Sequence, residues 1–337
     1  MPVHSPQPYA MHAIFCDQHG PIDTLRLGEA DTPTPGEHEA LIRVRAAGVN
    51  FPDGLLVQGL YQAKPPLPFI PGMEFCGDVV AVGDSVSTVS VGQRVMGSSA
   101  GFGAFAESLC ADARALVPVP EAIPDAEAAN LLCAHGTAHH ALNQRAALAS
   151  GEHVLVLGAA GGTGLAAVQV AKAMGATVIA AASTEDKLAL ARENGADHTV
   201  NYATDDLKTA VRALTDNRGV DVVYDPVGGD AFDTSCRLMA RGGRLLVIGF
   251  ASGRIPQFPV NLALVKEFSV VGAFWGSFVR HEPALAADNF AELIGWYLQG
   301  AVKVQVEKTY PLDQTVAALE HVMGRQVRGK VAIVPGG

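Results

Sequence analysis

The heptapeptide GAAGGTG, residues 158–164, lies between the apolar run HVLVL at 153–157 and the helical stretch LAAVQVAKAMGA. A strand, a tight glycine turn and a helix bring backbone N–H groups and the positive end of a helix dipole against a pyrophosphate. In the pattern G-x-G-x-x-G, Ala159 takes the place of the first glycine, Gly161 lets a phosphate approach, and Gly164 lets the helix pack closely on the strand. The stretch therefore predicts a dinucleotide-binding turn, and a ligand-free strand-to-helix turn is the alternative.

Strand-like and helical runs alternate along the chain from Gly151 onward. The strand-like runs are 153–157, 177–182, 198–201, 220–224 and 243–249, and the helical runs are 165–174, 185–193, 205–214 and 229–239. This alternation is typical of βαβ units on a parallel sheet. From Met11 to about Pro120 the chain instead has short alternating runs between Pro and Gly clusters, which is typical of antiparallel strands. We therefore predict an α/β protein with a mostly-β domain and a doubly wound parallel-sheet domain.

The pattern leaves the C-terminal part of the chain ambiguous. Beyond Phe250 it indicates an apolar run at 268–275, helices at 285–298 and 313–323, and strands at 302–309 and 330–334. These elements either finish the sheet domain or return to the first domain, and periodicity alone favours neither.

The composition is that of a folded protein with two domains. A chain of 337 residues exceeds the length at which a single core usually stops growing. The net charge of -10 opposes binding to nucleic acid, and no apolar run is long enough to span a bilayer. The five cysteines are far apart without a C-x-x-C pair, which indicates reduced thiols. We therefore expect a cytoplasmic protein with neither a nucleic-acid nor a membrane partner.

The end of the second strand of the sheet domain indicates which dinucleotide is bound. NAD sites usually place an acidic residue there to accept from the ribose 2′-OH. Here ATVIAAAS continues into Ser183 and Thr184, followed by Lys187, so hydroxyls and a cation stand where a carboxylate would repel a 2′-phosphate. The segment favours NADPH. Its alternative role, which can coexist with the first, is a helix N-cap with Glu185 and Asp186 in the first turn.

Several separate segments carry a resemblance to a known family. They are the glycine turn, AKAMGATVIAAASTEDKLALARENGADHTVNY, and the N-terminal AAGVNFPDGLLVQGLYQAKPPLPFIPGMEFCGDVVAVG. The chain resembles the zinc-free NADPH:quinone oxidoreductase branch of the medium-chain dehydrogenase/reductase superfamily over about residues 11–335. The resemblance implies a GroES-like catalytic domain formed by residues 1–131 and 273–337, a Rossmann NADPH-binding domain at 132–272, and a homodimer through sheet edges. It thus assigns the C-terminal part to the first domain.

The resemblance also implies the residues that bind the cofactor. The contacts to the 2′-phosphate fall on Ser183, Thr184, Lys187, Tyr202 and Arg325, and those to the pyrophosphate fall on Gly162 and Thr163. Gly161 and Gly164 of the same turn also belong to the cofactor site, through the approach of the phosphate and the packing of the helix. The contacts on the nicotinamide side fall on Phe51, His140, Val227, Ile248, Gly249, Phe250, Ala251, Phe274, Trp275 and Gly276. A phenol hydroxyl and two cations are suitable groups for one phosphate. The alternatives are a half-buried Tyr202 at a strand end and an exposed Arg325.

The resemblance implies that zinc is absent. The zinc alcohol dehydrogenases of the superfamily carry Cys and His where this chain has Asn50 and Met73, and only Cys133 matches a third ligand. One thiol cannot make the three-ligand open site of a catalytic zinc, so we interpret Cys133 as a small buried residue.

Three histidines on one predicted helix are a second possible metal site. His135 and His139 are four residues apart and His140 follows, but no carboxylate or cysteine at ligand spacing accompanies them. We interpret them as ordinary helix histidines. His139 departs from the aromatic residue, often tyrosine, that the branch has there.

The resemblance implies hydride transfer to an electron-poor acceptor, which is a quinone or the activated C=C of an α,β-unsaturated carbonyl. The protein then has to position the reactants and offer a hydrogen-bond donor to the developing oxyanion. The candidate catalytic residues are Asn50, as an amide donor, Tyr61, as a donor or proton relay, and Asp53, as an orienting group. Turn chemistry at Asn50 and Asp53 and ordinary packing of Tyr61 are the alternatives.

Two other functions are compatible with the same sequence. One is a zinc-type alcohol dehydrogenase, which would hold a stoichiometric metal. The other is a non-catalytic NADPH-binding protein of the kind known among lens crystallins. The acidic balance and the expected lack of an appended domain or tail favour the reductase over the non-catalytic protein, whereas a metal analysis would separate it from the alcohol dehydrogenase.

Overall fold

The computed structural model describes residues 10–99 and 102–336. The chain forms two compact units, one from Met1–Leu132 and Val304–Gly337 and the other from Cys133–Lys303. The first boundary lies beside the predicted one, whereas the second differs, because residues 273–303 belong to the second unit and not to the first. The reason is packing within the second unit, where helices in 275–298 cover the helix that precedes the parallel sheet, as described below.

The first segment of unit 1 is mostly β, as predicted. Its strands are β1 (Ala10–Phe15), β2 (Arg26–Asp31), β3 (Glu39–Val49), β4 (Glu74–Val82), β5 (Arg94–Ser98), β6 (Ser108–Asp112) and β7 (Val117–Pro118), and its helices are α1 (Phe51–Val57) and α2 (Asp125–Ala128). The strand β3 is long and largely buried on both faces, so it forms the centre of the sheet. Gly48 on β3 is required by a close approach, since a Cβ there would lie 2.1 Å from the carbonyl oxygen of Ala129.

Unit 2 consists of alternating strands and helices. Its helices are α3 (Leu132–His140), α4 (Gly162–Ala173), α5 (Glu185–Glu193), α6 (Leu207–Leu214), α7 (Gly229–Ser235), α8 (Val260–Lys266), α9 (Trp275–His281) and α10 (Pro283–Leu298). Its strands are β8 (His153–Leu157), β9 (Thr177–Ala182), β10 (His198–Asn201), β11 (Val220–Asp225), β12 (Met239–Val247) and β13 (Ser269–Gly272). The first three strands have the predicted bounds. The predicted helix 229–239 ends earlier, at Ser235, and α9 occupies a stretch in which the sequence predicted no helix.

All neighbouring strands of this sheet are parallel, in the order β10-β9-β8-β11-β12-β13. The chain moves outward in one direction from β8 and in the other direction from β11, so the topological switch point lies between these two strands. Their side chains are almost entirely buried, because helices cover both faces of such a sheet. In an open sheet of this kind, ligands bind outside the carboxyl ends of the strands at the switch point.

The end of the chain returns to unit 1 through β14 (Val306–Pro311), α11 (Thr315–Met323) and β15 (Lys330–Val334). β15 pairs antiparallel with β3, with Val331 opposite Val49. The sheet has the order β14-β15-β3-β4-β5-β7, and β6 also pairs with β3. The ambiguous tail therefore returns to the first domain from Val304 onward. Across residues 10–99 and 102–336, no helix combines the length and apolarity needed to cross a membrane.

Candidate active site

The glycine turn after β8 has the geometry of an anion site. Gly158 has φ 60°, which favours glycine. A Cβ on Gly164 would lie 2.2 Å from the carbonyl oxygen of Gly158, so glycine there is required for α4 to pack on the turn. None of the described side chains caps the start of α4, whose N-cap is the exposed Gly161. The N–H groups of Gly162 and Thr163 in the first turn have no intrahelical acceptor and are available to an anion.

The side chain of Thr163 is fixed by a residue that the sequence reasoning missed. Its hydroxyl lies 2.5 Å from the hydroxyl of Tyr224, which is fully buried on β11. Burial raises the pKa of Tyr224, so the phenol stays protonated. A tyrosine inside the apolar strand VDVVYD, beside the switch point, is the signal that could have indicated this contact.

The loop after β11 lies beside the glycine turn and is shaped by Asp225. The buried carboxylate of Asp225 accepts 2.8 Å hydrogen bonds from the backbone N–H groups of Val227 and Gly228. Burial raises its pKa, and these two donors oppose the rise. A Cβ on Gly158 would lie 3.2 Å from Cγ2 of Val227. The structure thus brings the predicted nicotinamide-side residue Val227 beside the glycine turn, and Asp225 is a positioning group that the sequence reasoning missed.

The loop after β12 is hydrogen-bonded to the loop after β11. The N–H groups of Ile248 and Gly249 donate to the carbonyl oxygen of Asp225 at 3.0 and 3.3 Å, and the N–H of Ala251 donates to the carbonyl oxygen of Pro226 at 3.0 Å. The predicted segment Ile248 to Ala251, which includes a half-buried Phe250, therefore lies next to Val227. The loops after β8, β11 and β12 meet at the carboxyl end of the sheet.

The predicted 2′-phosphate residues of unit 2 gather at the end of β9. The hydroxyl of Thr184 accepts a 3.4 Å hydrogen bond from the N–H of Lys187 and caps α5. The N–H of Tyr202 donates to the carbonyl oxygen of Ala182 at 3.1 Å, which places Tyr202 beside Ser183. The side chain of Tyr202 is exposed, and that of Lys187 is half-buried. The cap of α5 therefore lies within the same group of hydroxyls and a cation that the sequence predicts for the 2′-phosphate.

The remaining nicotinamide-side residues of unit 2 lie around α3 and α9. His140 stacks on Phe278 with ring centroids 4.0 Å apart, and burial lowers its pKa. His140 and the exposed Phe274 line a cavity of about 430 Å³. The N–H of Ala273 donates to the carbonyl oxygen of Val247 at 3.1 Å, so this segment neighbours the loop after β12. The structure brings Phe274 and His140 to one cavity.

Trp275 and Gly276 occupy a different environment from Phe274. Trp275 is buried, and its indole lies against Gly136 of α3. A Cβ on Gly136 would be 2.7 Å from Nε1 of Trp275. Trp275 thus packs α9 on α3. Gly276, in the first turn of α9, is half-buried, and a Cβ there would lie 3.6 Å from the ring of Phe274.

The histidines of α3 have separate partners. Nε2 of His135 lies 3.2 Å from Oε1 of Gln169, and Nε2 of His139 lies 2.8 Å from Oε2 of Glu292 on α10. Burial lowers the pKa of His139 despite this carboxylate. In the part of the chain that the structure describes, no group of three or more His, Cys, Asp or Glu side chains is arranged to hold a metal ion. Cys133 is half-buried, which corrects the prediction of a buried residue.

In unit 1, the side-chain amide of Asn50 joins two oppositely charged groups. Its Nδ2 donates a 3.0 Å hydrogen bond to Oε2 of Glu74, and its Oδ1 accepts a 2.5 Å hydrogen bond from Nζ of Lys330. A carboxylate only accepts and an ammonium only donates, so the orientation of the amide is determined. Glu74 is fully buried and Lys330 is 6% exposed. The sequence reasoning missed both, although a charged residue in each apolar stretch, PGMEFCG and GKVAIV, was a visible signal.

Asp53 lies beside this group at the start of α1. Its Oδ2 accepts a 2.8 Å hydrogen bond from the N–H of Asn50, so it caps the helix and orients its neighbour. Burial is the main cause that raises the pKa of Asp53 to about 7. Within residues 10–99 and 102–336, its Oδ1 has no hydrogen-bond partner. The turn chemistry that the sequence offered as an alternative is thus present together with an unusual buried carboxyl.

The other predicted residues of unit 1, and Met73, are half-buried or exposed. Phe51 is the first residue of α1 and is half-buried, and Tyr61 is half-buried in the loop that follows α1. Met73, at the position of the zinc-ligating histidine, is half-buried next to Glu74. Arg325 is exposed just after α11 with φ 57°. The roles of Phe51, Tyr61 and Arg325 stay predictions.

Comparison with known proteins gives matches over almost the whole chain. Residues 36–121 match the alcohol dehydrogenase GroES-like domain, and residues 162–292 match the zinc-binding dehydrogenase family. Quinone oxidoreductase-like protein 2 of Rattus norvegicus is 42% identical over 303 residues, 89% of this chain and 86% of that protein.

Solved structures of related proteins share the fold, among them a quinone oxidoreductase and a 2-haloacrylate reductase. The quinone oxidoreductase of Escherichia coli, solved in complex with NADPH, has a TM-score of 0.90 and 29% identity over 96% of this chain and 100% of that one. A 2-haloacrylate reductase has a TM-score of 0.85 and 31% identity over 97% of this chain and 100% of that one. The predicted class, an oxidoreductase fold with GroES-like and Rossmann-like domains, is confirmed. Within this class, the chain belongs to the quinone oxidoreductase family of the medium-chain dehydrogenase/reductase superfamily.

Proposed function

We propose that the protein is an NADPH-dependent oxidoreductase that transfers hydride, without zinc, to a quinone or to the activated C=C of an α,β-unsaturated carbonyl. The observation that carries the proposal is the uncapped start of α4 at the switch point, next to a β9 end with hydroxyls and Lys187 in place of a carboxylate. The first feature suits a pyrophosphate, and the second suits a ribose 2′-phosphate.

The residues of unit 2 fit the cofactor. Among the residues that the structure describes, a Cβ on Gly161 would meet only the carbonyl oxygen of Gly158, at 3.5 Å, so space is left for an anion to approach the turn. Gly162 and Thr163 would hold the pyrophosphate through their N–H groups, and Ser183, Lys187 and Tyr202 would hold the 2′-phosphate. The NADPH complex of the Escherichia coli relative supports this assignment. NADPH, when bound, supplies the hydride.

The chain's own contribution to the reaction is to bind, orient and stabilise charge. Reduction of a quinone to a hydroquinone, or of an enone to a saturated ketone, takes up one hydride and one proton and places transient negative charge on oxygen. The amide nitrogen of Asn50 carries two hydrogens, of which Glu74 accepts one, so the other can donate to that oxygen. Tyr61 can deliver the proton. The name of the 2-haloacrylate reductase gives an activated alkene as its substrate, which supports the second acceptor class.

The test is an NADPH-oxidation assay with quinones, enals, enones and enoyl thioesters, repeated with NADH. We expect turnover with at least one class and a clear preference for NADPH. Equal kcat/KM with both coenzymes would contradict the 2′-phosphate assignment, and tight NADPH binding without turnover on any acceptor would indicate a non-catalytic protein. Stoichiometric zinc that chelation removes together with activity would indicate an alcohol dehydrogenase.

We propose further that the protein is a homodimer through unit 2. β13 lies at one end of the sheet order, so one side of this strand is an edge. The neighbouring helix α8 exposes apolar side chains, with Val260 74%, Leu264 78% and Val265 71% exposed. A second copy would cover both features. Light scattering after size exclusion should give the native protein twice the monomer mass. The Leu264→Glu variant should have the monomer mass. The control variant, Leu298→Glu on α10, should keep the mass of the dimer.

A further inference from the structure

We infer that Lys330 and Glu74 are positioning residues that hold the side-chain amide of Asn50 in one orientation, with one N–H engaged and the other presented to the acceptor. The inference rests on the proposed function, in which Asn50 is the donor. Both residues would act on the reaction through Asn50, although they are distant from it in the sequence.

The sheet of unit 1 brings the three residues together. Asn50 directly follows β3, Glu74 begins β4, and Lys330 begins β15, and both of the latter strands pair with β3. Glu74 lies opposite Gly48, and Val331 lies opposite Val49, so Glu74 and Lys330 approach the end of β3 from its two sides. Nζ of Lys330 also lies 3.4 Å from the carbonyl oxygen of Val49. Backbone pairing on both sides therefore fixes where the two charges lie.

The charges of Lys330 and Glu74 select one of the two possible orientations of the amide. A half-turn of the Asn50 side chain would direct its NH2 group at an ammonium and its oxygen at a carboxylate, so both hydrogen bonds would be lost. Both flanking groups are buried, which makes loss of a partner expensive. The observed orientation is therefore the only one that satisfies all three groups.

The contact with Lys330 should also make the amide a better donor. A cation on the carbonyl oxygen draws electron density from the amide nitrogen, which strengthens the remaining N–H as a hydrogen-bond donor. A donor that is already oriented needs no reorganisation when negative charge develops on the acceptor. Lys330 and Glu74 would thus increase kcat with the acceptor without contacting acceptor or cofactor.

A double-mutant cycle tests whether Lys330 acts through Asn50. In the otherwise native chain, Lys330→Met should lower kcat/KM for the acceptor about tenfold, with KM for NADPH unchanged. In an Asn50→Ala background the same substitution should change kcat/KM by less than about twofold, because the amide on which Lys330 acts is absent. Lys308→Met, an exposed lysine on the neighbouring β14, is the matched control and should leave kcat/KM unchanged. The same loss in both backgrounds would overturn the inference.

A second measurement observes the side-chain amide of Asn50 directly and does not depend on catalytic activity. The side-chain N–H signals of Asn50 can be observed by NMR in protein labelled with ¹⁵N-asparagine and assigned by their loss in Asn50→Ala. We expect Lys330→Met and Glu74→Gln each to move these signals, and Lys308→Met to leave them in place. Unchanged signals in the first two variants would overturn the inference.

The measurements separate this inference from the proposed function. If the native protein turns over no acceptor, the proposed function fails, and the NMR comparison still decides whether the two charges position Asn50. If Lys330→Met does not fold, the charge-balanced Lys330→Met/Glu74→Gln variant takes its place in both experiments. Lys330→Arg should retain part of the activity, since it keeps the donated charge.

Discussion

The two units build their candidate sites from different chemical groups. In unit 2, backbone N–H groups at the start of α4 form the anion site, glycines provide the space, and backbone hydrogen bonds hold the loops after β11 and β12 beside it. In unit 1, the site is a group of buried side chains: Asn50, Asp53, Glu74 and Lys330.

This difference determines how each site can fail. A backbone site tolerates many side chains but not an extra atom at a point of close approach. A buried polar cluster tolerates little change of identity, because each group that loses its partner is left unsatisfied. Substitutions in the glycine turn of unit 2 should therefore act through steric contact, and those in the buried cluster of unit 1 through charge and hydrogen bonding.

Gly164→Ala should have the largest effect. The new Cβ would lie 2.2 Å from the carbonyl oxygen of Gly158 and 2.8 Å from its carbonyl carbon, and neither backbone atom can move away freely. We expect a loss of about 3 kcal/mol in the free energy of unfolding, measured by urea denaturation. Gly295→Ala on α10 is the control, since no described heavy atom lies within 4 Å of its Cβ position, and it should be neutral or stabilising.

Gly161→Ala completes this comparison. Its Cβ would make an ordinary 3.5 Å contact, and φ is −77°, so the fold should be retained. Because the methyl group enters the space that a phosphate would use, the Kd for NADPH should rise about tenfold while the free energy of unfolding stays the same. An unchanged Kd, measured by fluorescence titration, would show that the turn does not hold the pyrophosphate.

Asn50→Ala should have the next largest effect, and it acts on rate. Loss of one oxyanion donor usually lowers kcat by about 100-fold or more, so we expect a comparable loss in kcat with the acceptor and an unchanged KM for NADPH. Tyr61→Phe should have a smaller effect because it removes only a hydroxyl. Steady-state kinetics test both, and kcat/KM within about threefold of the native value in both variants would remove these residues from the mechanism.

The backbone site was predictable from the sequence because it is local. The strand, turn and helix around Gly158 to Gly164 are contiguous in the chain, and the observed bounds of β8, β9 and β10 equal the predicted ones. The predicted bounds of secondary structure are wrong where tertiary packing determines the conformation of the chain. The predicted helix 229–239 ends at Ser235 because the chain from Met239 joins the sheet as β12, and α9 forms where Trp275 packs on Gly136.

The side-chain cluster was predictable only in part because it is not local. Asn50 and Asp53 are three residues apart and were found together. Glu74 lies 24 residues from Asn50 in the chain, and Lys330 lies 280 residues away. Their meeting depends on the register of β4 and β15 against β3, which a single sequence does not specify.

Lys187→Met should have a moderate effect confined to one coenzyme. An ammonium near the 2′-phosphate strengthens binding of NADPH but has no equivalent partner on NADH. We expect KM for NADPH to rise about tenfold, which corresponds to about 1.4 kcal/mol, and KM for NADH to change little. Lys172→Met on α4, which breaks only the ion pair with Asp197, is the control. Parallel changes for both coenzymes would place Lys187 outside the 2′-phosphate site.

The smallest effect concerns the pH dependence of stability at Asp53. Burial raises the pKa of this carboxyl to about 7 in the folded state, whereas an unfolded aspartate titrates near 3.9. The folded protein therefore binds the proton more tightly, and the contribution of Asp53 to stability falls as pH rises from about 4 through about 7.

Asp53→Asn removes this titration while keeping an oxygen that can accept from the N–H of Asn50. The free energy of unfolding of the native protein should fall relative to that of the variant by about 1 kcal/mol between pH 6 and pH 8, as measured by urea denaturation at each pH. His139 and His140 are present in both proteins, so their titration cancels in the difference. Parallel pH curves would mean that Asp53 does not titrate between pH 6 and pH 8 in the folded state, and would contradict the prediction.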